Sequence, residues 1–219
     1  MRYEIRYGST FSTLFITLSP GESITAEAGA MASMSSAITM QTRFSGGFLT
    51  ALLKKIFGGE TLLVNGFANP TQQPLQIVLT QATIGDMTAV ELTQQALCLQ
   101  PGAYIAHAGA INLGVQWAGF ASFFAGEGLF RLKATGQGIL FLGAYGGLTP
   151  YDLDGELVVD SGHLVAYPPS IQMKLGLASG LIGSVTSGEG LVSRLSGQGR
   201  IYLQSRSLDG LVRYLNPKI

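Results

Sequence analysis

The chain has 219 residues, of which 47% are hydrophobic and only 12% are charged. Thirteen basic side chains balance thirteen acidic ones, so no basic excess draws the chain to nucleic acid and no like-charge run suggests a solvated tail. No apolar run approaches the roughly 20 residues of a membrane-spanning helix, and a single cysteine excludes an internal disulfide.

In chain order, Met1 to Tyr7 alternates polar and apolar residues like a strand and lacks the apolar core of a signal peptide. The expected location is therefore cytoplasmic, with membrane association as an alternative. Ile16 and Leu18 alternate with Thr17 and Ser19 ahead of a Pro20-Gly21 turn. A strand ending in Ala26-Glu27-Ala28-Gly29-Ala30-Met31 follows. Phe48, Leu49, Leu52, Leu53, Ile56 and Phe57 then fall at helical spacing, with Lys54 and Lys55 on the opposite side. Leu75, Ile77 and Leu79 form another alternating run.

The pattern then starts again. Ala106-His107-Ala108-Gly109-Ala110-Ile111 repeats the alanine-rich signature, and Ala166-Tyr167-Pro168-Pro169-Ser170-Ile171 repeats it more loosely. Gly59-Glu60-Thr61-Leu62 recurs as Gly126-Glu127-Gly128-Leu129 and Gly188-Glu189-Gly190-Leu191. Gly136-Gln137-Gly138 and Gly197-Gln198-Gly199 follow at distances that match to within one residue and read as tight turns between strands; the first copy has the longer Asn69 to Pro74 instead. Leu208 to Leu215 reads as a short helix stopped before Pro217.

Internal self-similarity of this kind sets the architecture. The expected fold is mainly β: three repeated short double-stranded β-helix or β-sandwich units packed side by side, with a few short helices. The copies run approximately over 1–82, 83–146 and 147–207, with a C-terminal segment 208–219, in a single rigid body spanning 1–219. Each copy is too small to bury its own face alone. With so few charges, the chain is expected to hide further surface by forming a homo-oligomer, most simply a cyclic trimer.

Val159-Asp160-Ser161-Gly162-His163-Leu164-Val165-Ala166-Tyr167, the Gly188-Glu189-Gly190-Leu191 turn and Gly197 through Arg206 resemble the altered-inheritance-of-mitochondria protein 24 family. Gly21-Glu22 with Ala26 through Met31 also fits that family's opening, and the likeness covers essentially the whole chain. Gln198 departs from the proline expected between the two glycines. The resemblance implies a fold like that of the tryptophan RNA-binding attenuation protein, with three units per chain and a homotrimer. The family has no established catalytic residues to carry over.

No constellation carries chemistry by itself. Zinc needs three or four converging ligands, whereas two histidines and one cysteine lie in different copies. Cys98, in the apolar run Ala96 to Leu99, reads as a buried thiol. Asp160 and His163 flank a turn, where a capping Asp is the ordinary use. The recurring Glu60, Glu127 and Glu189 are the candidate functional set, as a carboxylate ring able to hold a cation; the ordinary reading is solvated or capping glutamates. Arg131 and Arg194 recur near two of these turns but have no partner in the first copy, and a Gly-Lys-Ser/Thr phosphate loop is missing.

The preferred function is a non-enzymatic trimeric β-scaffold that binds a partner protein, a membrane surface or a small ligand, with no catalytic residues, cofactor or resident metal expected. Phe48, Leu49, Leu52, Leu53, Ile56 and Phe57 are the candidate interaction surface. An enzyme or cation-binding protein using the Gly-Glu turns is one alternative. An RNA-binding protein, from fold analogy alone, is another.

Overall fold

Short runs of β-branched and aromatic residues between glycine and proline turns fold into strands, and the mainly β class is borne out. The computed structural model describes residues 1–44, 63–117, 130–177 and 191–216. Among them are β1 (Arg2–Arg6), β2 (Thr13–Leu18), β3 (Ser23–Glu27), β4 (Met31–Met34), β5 (Thr39–Phe44), β6 (Leu63–Ala68) and β7 (Leu75–Thr80). Longer strands follow: β8 (Met87–Leu99), β9 (Tyr104–Trp117), β10 (Phe130–Gly143) and β11 (Leu148–Asp160). A 3-10 turn at Ser161–His163 leads to β12 (Leu164–Tyr167), β13 (Gln172–Leu177), β14 (Leu191–Gln204) and the expected short helix, α1 (Leu208–Leu215). The candidate helix Phe48 to Phe57 and all three Gly-Glu turns lie outside the described residues.

Two sheets result. One has the order β1-β2-β7-β4; the other runs β11-β14-β12-β8-β10-β9-β3-β6-β5, with β13 also on β14. All pairs of these strands are antiparallel. In the middle segment β10 pairs with both β8 and β9. In the last, β14 pairs with β11, β12 and β13. In the first the same closing role is divided: β6 pairs with β3 and β5, and β7 pairs with β2 and β4.

The division has a local cause in Asn69 to Pro74. Buried Asn69 donates through Nδ2 to the carbonyls of Leu18 (2.9 Å) and Gln73 (2.7 Å), and its Oδ1 accepts from the backbone N (2.9 Å) and hydroxyl (2.8 Å) of Thr71. Pro70 and Pro74 cannot donate to a ladder. The strand therefore breaks here, as the sequence indicates.

The two Gly-Gln-Gly motifs do not behave as expected. They are not turns between strands but lie inside β10 and β14, which run through without reversing. Gly136 and Gly138 have φ of +120° and +154°, and Gly197 and Gly199 have +136° and +155°. Against β9, the register continues unbroken from Gly136↔Ile111 to Gly138↔Gly109, whereas against β8 it shifts between Gly136 and Gln137. In β10 the glycines thus face a β-bulge of β8, where Gln94 is the extra residue, while β14 keeps an unbroken register with β11 through Gly197 and Gly199. A Cβ on Gly136 would lie 2.1 Å from the Ala110 carbonyl oxygen, so only glycine admits the neighbouring backbone.

Among the described residues three hydrophobic clusters form the core, and each draws on more than one copy. The first, around Leu14, Ile16, Ile24, Phe67 and Ile77, also takes Ile105 and Phe141 from the middle segment. The second, around Leu99, Tyr104, Leu140 and Leu142, takes Val64 from the first copy and Val165, Ala166 and Tyr202 from the third. The third, around Leu153, Leu195 and Ile201, takes Cys98. Strand alternation explains the sharing. Successive side chains point to opposite faces, so Phe141 enters one cluster while Leu140 and Leu142 enter another. This is why Ile139 to Leu142 is a continuous apolar run: the strand is covered on both faces. Fully burying one such side chain contributes about 1.5–3 kcal/mol.

Candidate functional site

Three chain segments cross near Phe11, Gly85 and Gly146. Phe11 and Gly85 form a parallel bridge, and Gly85 forms another with Gly146. Ser12 N donates to Gly85 O (3.0 Å), and Asp86 N donates to Gly146 O (2.8 Å). After the third copy, Ser205 continues the series: its N donates to Gly147 O (2.9 Å), and its hydroxyl accepts from Gly147 N (2.8 Å). A row of chain crossings therefore runs from Phe11 to Ser205, immediately before α1.

Polar side chains tie this row together. Asp86 accepts from Ser9 N (3.2 Å), the Ser12 hydroxyl (2.7 Å) and Met87 N (2.9 Å). Hydrogen bonds to a charged acceptor each contribute more than neutral ones. Asp86→Ala is therefore expected to lower stability by about 1–3 kcal/mol, read from urea unfolding. Asp152→Ala should cause no measurable loss, because its ion pair with Arg200 is exposed to water.

A cavity of about 220 Å³ opens beside the crossings, between the Pro101-Gly102 turn, the segment Gly143–Tyr145 and the start of α1. Gln204 frames it. Its Oε1 accepts from Tyr145 N (2.8 Å), and its Nε2 donates to Gly162 O (2.8 Å). His163 donates from Nδ1 to the Gln204 carbonyl (2.7 Å). Asp160 accepts from Gly162 N (2.9 Å), so both residues of this turn serve the local structure expected of them. Gln100 also lines the cavity and is buried; neither its amide oxygen nor its amide nitrogen has a hydrogen-bond partner.

α1 closes one side of this region. Ser207 caps it, its hydroxyl accepting from Gly210 N (3.0 Å). Asp209 lies in the first turn and Arg213 in the last, each matching the sign of the helix end. None of its residues is buried. Leu208, Leu211, Val212 and Leu215 occupy i, i+3, i+4 and i+7, a continuous apolar face that remains exposed.

The histidines are used differently. Thr25 and Ala26 of β3 pair with His107 and Ala106 of β9, which joins the first two copies. Tyr104 donates its hydroxyl proton to Thr25 O (3.1 Å), so His107 Nδ1 supplies the proton for its 2.8 Å bond to the Tyr104 oxygen. Burial pushes the His107 pKa down to about 4. Burial first, and then the nearby Glu27 charge, raises that of Tyr104. These two buried side chains form a neutral polar pair.

Arg131 and Arg194, matched in sequence, have unlike surroundings. Arg131 is buried and donates from a terminal guanidinium nitrogen to the Tyr167 hydroxyl (2.6 Å), linking the second and third copies. Arg194 is exposed. Cys98 is buried as expected, and burial raises its pKa, keeping the thiol protonated. Glu60, Glu127 and Glu189, with Phe48, Leu49, Leu52, Leu53, Ile56 and Phe57, lie outside the described residues. Among the described residues no three His, Cys, Asp or Glu side chains converge as a metal site.

Comparison with known proteins agrees with the signatures. The profile of the family described as "Mitochondrial biogenesis AIM24" matches residues 3–206. The chain belongs to this AIM24 family. An uncharacterized protein of Streptococcus pyogenes serotype M6 (strain ATCC BAA-946 / MGAS10394) is 28% identical, over 98% of this chain and 91% of its own. An X-ray crystal structure of a Streptococcus pyogenes protein superposes with a TM-score of 0.80 at 25% identity, covering 100% of this chain and 99% of that one. The AIM24 resemblance read from the sequence is thus borne out at the level of the family.

Sequence reasoning missed Gln100 and Gln204. Gln100 sits between the run Leu97 to Leu99 and Pro101-Gly102, where it passes for a turn residue. Gln204 follows Leu203 in an alternating strand, as a solvent-facing residue would. No motif marks an amide that bridges three backbone segments.

Proposed function

We propose that this AIM24 family member is a non-enzymatic homotrimeric β-scaffold whose assembled surface binds a partner. The observation that supports it is the apolar face of α1. Leu208, Leu211, Val212 and Leu215 are 51%, 36%, 48% and 70% exposed, and Tyr214 on the flank is 82% exposed. An amphipathic helix gains most of its stability by packing that face against something. Tyr7 and Phe11, at the opposite end of the row of crossings, are exposed as well, at 65% each. A second copy of the chain is the occupant proposed for the helix, because cyclic closure covers one surface on every subunit at once.

The histidines and the cysteine favour a structural over a catalytic reading. His107 and His163 are engaged with Tyr104 and the Gln204 backbone, and the Cys98 thiol is held protonated. Light scattering on the full chain tests the assembly. The native protein is expected to have the mass of a trimer that resists dilution. Leu211→Asp combined with Leu215→Asp is expected to give monomers with unchanged β circular dichroism. A native monomer, or a doubly substituted trimer, would reject the proposal.

A further inference from the structure

Gln81 at this junction donates through Nε2 to the Ala144 carbonyl (3.0 Å) and leaves only its Oε1 unpaired, whereas Gln100 is unpaired at both ends. It is only 8% exposed, yet its Oε1 and Nε2 have no hydrogen-bond partner. Gln204, on the same cavity, has both amide ends occupied. Leaving a buried amide unpaired costs far more than a made hydrogen bond contributes. An apolar residue of similar length would avoid that penalty. Gln100 lies on the wall of the 220 Å³ cavity, much more than the roughly 30 Å³ share of one water molecule and somewhat below the range of drug-sized sites.

We infer that this cavity is a binding site for a small neutral or cationic primary carboxamide, recognised by the Gln100 side-chain amide. Two carboxamides satisfy each other reciprocally, one N–H donating to each C=O, so such a ligand occupies both of the groups left open. No hydrogen bond holds the Gln100 side chain, and its unbranched stem lets the amide rotate toward the cavity. The remaining wall sets the charge and size. Among the described residues on it, Asp209 is the one charged side chain and disfavours anions, while Leu164, Val165 and Leu208 supply apolar contact. Thr83 adds a hydroxyl. The site is formed within one chain, so this inference does not depend on the trimer.

Nicotinamide and nicotinate are suitable probes because they match in shape and differ in the amide. Titration of the full chain, followed by the NMR signals of the Gln100 side-chain NH₂, should show saturable nicotinamide binding with a Kd on the order of 1 mM. Nicotinate should bind at least about tenfold more weakly because the buried groups stay unpaired and Asp209 repels it. Gln100→Met should abolish nicotinamide binding while keeping or raising the melting temperature, since it removes an unpaired polar group. Absent or non-saturating nicotinamide binding, equal binding of both probes, or undiminished binding by Gln100→Met would each overturn the inference. A melting temperature lowered by Gln100→Met would also overturn it, by showing that ordered water already satisfies the amide.

Discussion

Acidification from pH 7 to pH 4 should cost the native protein about 3 kcal/mol through His107 alone. Its folded-state pKa, pushed by burial to about 4, lies below the ordinary 6.5. Between those values the unfolded chain binds the proton and the folded chain does not. Stability from this residue is therefore complete above about 6.5 and is lost as pH falls toward 4. The site offers the imidazolium little compensation: Nδ1–H already donates to the Tyr104 oxygen, whose own proton is committed to Thr25 O. His107→Gln removes the titration. Urea unfolding of both proteins at neutral pH and near pH 4 measures it, and the native protein should lose about 3 kcal/mol more than the variant between the two conditions. Carboxylates elsewhere titrate in both proteins and cancel in that comparison. Equal losses would show that His107 is solvated enough to protonate in place.

His107 lies where β3 meets β9, so its protonation would weaken the contact between the first two copies in particular. A related role falls to Arg131 and Tyr167 between the second and third. The sequence aligns Glu27, His107 and Tyr167 as equivalent positions of one signature, and in the fold His107 bonds Tyr104 within its own copy while Tyr167 accepts from Arg131 of another. Repetition made the backbone pattern legible because alternation and turn chemistry are local properties. It hid the side-chain roles because each copy meets a different neighbour. Buried amides such as Gln100 and Gln204 were equally hidden, since their partners are backbone groups or a cavity wall brought together from distant segments. The apolar run Ile139 to Leu142 shows the reverse case. Its lack of alternation already says that both faces are covered, and the structure adds only which clusters cover them.

The Gly-Gln-Gly motif of β10 gives large expected effects for the addition of a single methyl group. As sequence it has the look of a tight turn, because glycine pairs flanked by strands usually mark reversals. What distinguishes a strand that runs through from a turn is the partner strand, and that is non-local. β9 runs unbroken past both glycines of β10 with its carbonyls pressed against them. A Cβ on Gly136 would meet the Ala110 oxygen at 2.1 Å, and one on Gly138 the Ala108 oxygen at the same 2.1 Å. Both are backbone atoms held in a ladder and cannot swing aside. In β14 the crowding is milder: 2.8 Å from Gly197 to the Ser170 oxygen, and 2.9 Å from Gly199 to Cγ of Pro168. At Gly21 and Gly102 φ is also positive, yet nothing lies within 4 Å of the added carbon. Alanine substitution should therefore rank in three steps. Gly21→Ala and Gly102→Ala carry the conformational cost alone, about 1 kcal/mol. Gly197→Ala and Gly199→Ala add a contact that requires a modest shift. Gly136→Ala and Gly138→Ala must displace backbone as well, and each should lose about 3 kcal/mol or more. Urea unfolding of the six variants gives the order directly. If Gly136→Ala proved no more costly than Gly21→Ala, β9 would have to be able to separate from β10 at this position, and the close backbone approach would not be what requires glycine there.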